Sequence, residues 1–166
     1  MLYQYMLMPS SVGQLTLVAR DGKLNAILWE HERANRVRLG ELHHTHDSPV
    51  LLETERQLHE YFAGTRTQFA LELDFTGTLF QQQVWQALLT IPFGETRSYS
   101  QIARQIGNPS AVRAVGAANG RNPISIVAPC HRVIGASGAL TGFAGGLAAK
   151  QYLLALEGKG QAELAF

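Results

Sequence analysis

The chain changes its patterning at Gly77-Thr78, and that change restricts its fold more than any other feature. Before it, short apolar runs alternate with turn signals. After it, apolar residues recur every three or four positions behind two helix-start signatures. Thr78 and Gln81 have capping-box spacing, in which each side chain accepts the other residue's unpaired backbone N–H; Ser98 and Gln101 repeat it. A strand-forming half followed by a helical half predicts an α/β chain of two units, expected over residues 1–76 and 77–166.

In the first unit, "QLTLVAR" (14–20) and "LNAILWE" (24–30) read as strands joined by Asp21-Gly22-Lys23, a short hairpin. Residues 33–49 form a polar connection with no predicted element, and His43, His44 and His46 within it read as a solvated loop rather than a metal cluster. Ser48 and Pro49 suit the cap and first turn of a helix whose face is Leu51, Leu52, Leu58, Tyr61 and Phe62, and Gly64 ends it. Residues 66–75 are expected to return as a strand. The unit is thus a small mixed α/β domain, an antiparallel sheet plus a helix.

In the second unit, Phe80, Val84 and Leu88 stand four apart with Trp85 beside them, a buried helix face. A short helix from Ser98 to Gly107 follows. Asn108-Pro109 is expected to cap another over residues 110–120, a helix-turn-helix pattern. Ala111, Ala114, Gly116, Ala117 and Ala118 leave this last helix almost without large side chains, and Arg113 projects from it. Such a helix suits close packing on a neighbour or close approach to a nucleic-acid groove.

Charge is divided along the chain. The formal net charge is +1, yet residues 1–75 carry an excess of three acidic groups and residues 76–166 an excess of four basic ones. No carboxylate occurs between Glu95 and Glu157, whereas Arg97, Arg104, Arg113, Arg121, Arg132 and Lys150 do. This stretch is a candidate phosphate-facing surface, or else an ordinary solvated face. No run approaches the roughly 18–20 apolar residues of a membrane span, and "MLYQYMLMPSS" lacks the cationic start of a secretion signal. Cys130 is the only cysteine, which fits a reducing, cytoplasmic compartment.

A lone cysteine among apolar residues is commonly inert core filler. Here Pro129 restricts the backbone before it, while His131 and Arg132 offer neighbouring positive charge that would lower the thiol pKa. Adjacent residues diverge in direction, so a bridging water is the simpler route for a proton from Cys130 to His131. The imidazole then needs an acceptor at its other nitrogen, and Glu157 is the candidate.

"NPISIVAPCHRVIG" (122–135), with "GALTGFAGG" and "KQYLLALEG" after it, resembles the O6-alkylguanine-DNA alkyltransferases. The resemblance runs from about Gly77 to Gly158; the N-terminal third is similar only in size and hairpin-helix pattern. It implies a winged helix-turn-helix-like DNA-binding and active-site domain that acts on double-stranded DNA. The implied reaction is stoichiometric: a thiolate takes the alkyl group from the O6 of a flipped guanine, with O4-alkylthymine a second candidate substrate. By motif position, Cys130 is the acceptor, His131 and Glu157 the water-linked relay, Asn122 the tie between helix-turn-helix and active-site segment, and Tyr99 the donor to the base. Arg113 is the finger that enters the base stack. Ala114, Gly116 and Arg121 belong to the DNA-binding face. Val133, Ser125, Phe143, Ala144 and Gly145 form the substrate pocket, with backbone groups of Val133 and Ala144 contacting the base.

The resemblance implies no cofactor and a monomer. The zinc-binding cysteines of some members are missing, so no metal site is expected. Phe143 stands where many members have tyrosine, Ala144 where some have serine, and Ser125 where some have proline. The rival readings are a cysteine hydrolase, which would need direct thiol–imidazole contact, and a non-catalytic winged-helix DNA binder.

Overall fold

The computed structural model describes residues 2–135, 138 and 143–158. β1 (Tyr3–Met8), β2 (Leu15–Arg20) and β3 (Lys23–Leu28) pair antiparallel, and β4 (Leu42–His44) lies parallel to β1, giving the order β3-β2-β1-β4. The expected hairpin joins β2 to β3 through Asp21 and Gly22 at φ 52° and 78°, a two-residue turn whose twist matches the flanking strands. The parallel strand departs from the antiparallel sheet read from sequence. β4 runs in the same direction as β3, so the polar connection serves as the long crossover that parallel strands require. His43 and His44 are exposed residues of β4 rather than of a loop.

Helix α1 (Pro49–Phe62) starts at Ser48, whose hydroxyl accepts the Leu51 N–H at 3.4 Å. Leu51, Leu58 and Tyr61 are buried, whereas Leu52, one position round the helix, faces solvent. The strand expected at residues 66–75 does not form. Only Leu24 bridges to this segment, donating to the Glu72 carbonyl at 3.0 Å and accepting from the Asp74 N–H at 2.8 Å. Phe69, Leu71, Leu73 and Phe75 do pack toward the core, so their alternation marks a buried face without a ladder. Arg20 anchors the segment through two hydrogen bonds to Asp74, at 2.7 and 3.0 Å.

Beyond Gly77 come α2 (Leu79–Leu88), β5 (Arg97–Ser98), α3 (Tyr99–Gln105) and α4 (Val112–Gly120). A single 3-10 turn (Cys130–Arg132), β6 (Val133–Ile134) and α5 (Leu147–Leu156) follow. Both capping boxes form, at Thr78 and at Ser98. Val84, Trp85, Leu88, Ile102 and Val115 make a second core, and the Trp85 indole donates to the Ala118 carbonyl at 2.8 Å. Helix α4 starts later than expected and has no side-chain cap; Asn108-Pro109 instead make the turn before it, with the Ala111 N–H donating to the Asn108 carbonyl at 3.0 Å. The short parallel pair β5-β6 joins the start of α3 to the residues that follow the 3-10 turn. Among the described residues, no helix is long and apolar enough to cross a membrane.

The halves share a core. Ile124, Ile126, Val127 and Leu153 pack with the sheet and α1, and the Ile27 N–H on β3 donates to the Pro123 carbonyl at 2.9 Å. The segment leading to Cys130 is therefore built onto the sheet. Ser98 fixes the start of α3, and with it Tyr99. Ser98→Ala should lower unfolding free energy by about 1 kcal/mol, measured by urea denaturation. A loss below a few tenths would mean that this cap does not hold α3.

Candidate active site

The run into Cys130 is held in a constrained conformation. Ile126, buried and β-branched, has φ 74°, and the Val127 N–H donates across it to the Ser125 carbonyl at 2.9 Å. This is a γ-turn of the rare, strained kind, and it persists because its surroundings over-determine it. Asn122 does much of that. Its Oδ1 accepts the Ile124 N–H at 3.1 Å, and its Nδ2 donates to the Ala128 carbonyl at 2.8 Å. The asparagine thus ties the end of α4 to the residues before Cys130. Arg36 grips the same corner from the other half, donating to the carbonyls of Asn122 (2.8 Å) and Gly120 (3.1 Å) while paired to Glu32 at 2.9 Å.

The 3-10 turn then separates the three side chains that follow Pro129. Cys130 is buried, with 4% of its surface exposed. His131 turns its Nε2 to Glu157 Oε2 at 2.8 Å. Arg132 spans the same carboxylate, Nε to Oε1 at 2.8 Å and Nη2 to Oε2 at 3.0 Å, and donates from Nη1 to the Ile91 carbonyl at 2.7 Å. The acceptor expected for His131 is therefore Glu157. The other ring nitrogen, Nδ1, has no protein partner among the described residues, so the imidazole makes no direct bond to the thiol.

The electrostatics reverse the sequence reading, in which His131 and Arg132 would lower the thiol pKa: burial raises it instead. Arg132 is committed to Glu157, which offsets its charge. Burial pushes the Cys130 thiol up, opposed by the Asn122 side chain and by the charges of Arg36 and Lys150. Burial likewise holds the His131 imidazole down, against the pull of Glu157. Burial alone would raise the Glu157 carboxyl, yet its bonds to His131 and Arg132 bring it down to about 2. Burial thus favours the thiol over the thiolate and the neutral imidazole over the imidazolium, while pairing keeps the carboxylate ionised. Lys150, fully buried, donates to the Val133 carbonyl at 2.7 Å, and burial lowers its ammonium to about 8.

Two of the six cations in the carboxylate-free stretch, Arg132 and Lys150, are therefore internal. Arg104, Arg113 and Arg121 are exposed, and Arg97 is half-buried beside Glu95. Helix α4 buries Val115, Ala118 and Asn119 and exposes Arg113, Ala114 and Ala117, which gives it a smooth outer face with one long cation. Gly116 lies against Tyr99, where a Cβ would meet the ring at 3.8 Å. Arg121 sits at the end of α4 and, with Arg38, lines a cleft between the halves.

Ser125, Phe143 and Gly145 converge on a residue that sequence reading missed. The Trp29 indole N–H donates to Ser125 Oγ at 3.0 Å, and its ring meets Phe143 edge-on at 5.3 Å. It also lies flush on Gly145, where a Cβ would come within 2.6 Å of it. Ala144, half-buried, adjoins the same group. Arg36, Lys150 and Tyr61 were likewise missed as site residues. For Lys150 a signal existed: it lies one helical turn before Leu153 and Leu154, on the same buried face of α5.

Known proteins resemble this chain over both halves. Residues 79–159 match the family model for the 6-O-methylguanine DNA methyltransferase DNA binding domain, and residues 1–75 match that for its ribonuclease-like domain. A methylated-DNA–protein-cysteine methyltransferase of Mycolicibacterium paratuberculosis is 53% identical over 93% of this chain and 92% of its own length. One from Salmonella typhimurium is 48% identical over 89% of this chain and 91% of its own. The crystal structure of Mycobacterium tuberculosis O6-methylguanine methyltransferase superposes with a TM-score of 0.82 at 51% identity, covering 94% of this chain and 93% of that one. A Mycobacterium tuberculosis OGT in complex with DNA gives 0.85 at 49% identity, covering 96% of each chain. With both halves matched and the Cys130–His131–Glu157 arrangement in place, the chain belongs to the 6-O-methylguanine DNA methyltransferase family.

Proposed function

We propose that the chain repairs O6-alkylguanine in double-stranded DNA by direct reversal, taking the alkyl group onto Cys130 in a single irreversible turnover. The observation that carries this reading is a buried thiol followed by an imidazole whose far nitrogen is fixed on an ionised carboxylate. Displacement at a saturated carbon favours a soft sulfur nucleophile, and the fixed imidazole can receive its proton. The reaction consumes a group of the chain itself, so it requires no cofactor or metal.

A thiol this deeply buried cannot reach a stacked base, so the damaged nucleotide must swing out of the duplex, which costs about a few kcal/mol of unstacking. Arg113 fills the vacated stack, while Ala114, Gly116 and Ala117 let α4 approach the minor groove and Arg121 contacts the backbone. The base enters between Tyr99 and the wall formed by Ser125, Phe143, Ala144 and Gly145, with backbone groups of Val133 and Ala144 on its edge. The Cys130 proton passes through a water to His131 Nδ1, and Glu157 stabilises the imidazolium. The sulfur forms its bond to the alkyl carbon as the bond from that carbon to O6 breaks. The electron pair of that bond stays on the guanine, which takes up a proton through Tyr99, and the thiol proton held by His131 makes good that proton by way of solvent. The working division of the chain falls between residues 76 and 77, the protein acts as a monomer, and the cytoplasm keeps its thiol reduced.

Mass spectrometry after incubation with an O6-methylguanine duplex should find one added methylene, on Cys130, with none on Cys130→Ser, which should still bind DNA. Methyl transfer to the serine variant would overturn the assignment. Arg113→Ala should slow repair of duplex DNA on the order of tenfold or more while sparing reaction with free O6-benzylguanine, since only the duplex requires flipping. Equal losses on both substrates would place Arg113 in folding or in the pocket.

Glu157 links the site to stability. Its folded-state pKa lies near 2 against an ordinary 4.5, so its contribution is complete above pH 4.5 and disappears as pH falls toward 2. Glu157→Gln leaves Arg132 without its counter-ion and should cost about 3–5 kcal/mol at neutral pH. Urea unfolding across pH should show the gap between wild type and variant narrowing between 4.5 and 2. A constant gap would mean that the carboxylate's charge contributes nothing.

A further inference from the structure

Glu157 accepts one more hydrogen bond, from the other half of the chain. The Tyr61 hydroxyl, in the last turn of α1, donates to Glu157 Oε2 at 2.5 Å. That is the oxygen facing His131 Nε2 at 2.8 Å and Arg132 Nη2 at 3.0 Å. Tyr61 is buried, and its ring is clasped by Phe62, Phe69 and Phe93 at centroid distances of 5.4, 5.5 and 6.3 Å. The hydroxyl therefore has one position and one acceptor.

We propose that Tyr61 is a positioning residue for alkyl transfer, whose hydroxyl fixes Oε2 of Glu157 and keeps the Nε2 proton on the His131 imidazole. The inference rests on the Cys130–water–His131 relay described above. A carboxylate oxygen held by three donors is a weaker base than one held by two, because hydrogen bonds to the charged form stabilise it. With Oε2 saturated, the imidazole stays in the Nε2–H tautomer, which leaves the Nδ1 lone pair to receive the thiol proton. Burial and the Glu157 charge push the Tyr61 phenol up, so it remains a donor at every working pH. The charged and titratable groups that face this cluster are Arg132 and His131 from the 3-10 turn, Tyr61 from α1, and Lys150 and Tyr152 from α5.

The sign of the effect follows. Without the Tyr61 donor, Oε2 stabilises the imidazolium more strongly, and His131 becomes harder to keep neutral. A protonated His131 cannot accept from Cys130, so the acidic limb of the rate–pH profile must move to higher pH.

The test is the rate–pH profile for reaction of the full chain with free O6-benzylguanine, which needs no flipping. Tyr61→Phe keeps the ring and its packing. Its acidic limb should move up by about half to one pH unit, the worth of one neutral hydrogen bond. Replacing Tyr61 with a ring-fluorinated tyrosine, a stronger donor of nearly the same size, should move the limb down. An unmoved limb in the phenylalanine variant, whether or not the rate falls, would reduce Tyr61 to a packing role and overturn the proposal. A limb that moves upward with the fluorinated residue would overturn it as well, and this variant decides the matter if the other fails to fold. His131→Gln separates the two levels: if it keeps the wild-type acidic limb, the relay itself is wrong, whatever Tyr61 does.

Discussion

The carboxylate of Glu157 holds the site together. It is the first acid after 61 residues without one, and it is buried where four donor groups from three side chains meet it. An ionised carboxylate in such a place is tolerable only if fully paired. Arg132 supplies the counter-charge, His131 a ring nitrogen at 2.8 Å and Tyr61 the tether to α1. Since α5 ends at this residue and the 3-10 turn begins one residue before His131, one ionic cluster fixes the relation of helix, turn and N-terminal half.

A second cluster restrains the approach to Cys130. Arg36 reaches from the crossover of the N-terminal unit to two carbonyls at the end of α4, and Asn122 spans the γ-turn at Ile126. The strained φ at Ile126 places Val127, Ala128 and Pro129 so that Cys130 opens the 3-10 turn, while Trp29 holds Ser125 by its hydroxyl. Both clusters cross between the halves. The ribonuclease-like half thus buttresses the residues that surround the thiol, although it contributes none of the relay.

Much of what the sequence made legible was local. Ser48, Thr78 and Ser98 announce their helices because a cap needs only residues three positions away. The Cys130–His131–Glu157 set was legible because an imidazole between a thiol and solvent-free protein needs an acceptor, and the carboxylate gap left few. What stayed hidden depends on distant partners. β1 lacks clean alternation and β4 is three residues long, so neither shows itself without the strands beside it. Trp29, Arg36 and Tyr61 take their roles from residues 84 to 96 positions away. Arg132 and Lys150 counted as surface charge because a tally of charges carries no record of burial.

The burial of Cys130 bears on how long the molecule keeps its function. Peroxides and disulfides react with thiolates far faster than with thiols, and an oxidised sulfur cannot accept an alkyl group. A residue 4% exposed, whose surroundings favour the thiol over the thiolate, is shielded from both in the absence of a lesion. If Cys130 is used a single time, as proposed, shelf life matters as much as speed, and the desolvation that raises the Cys130 pKa provides it.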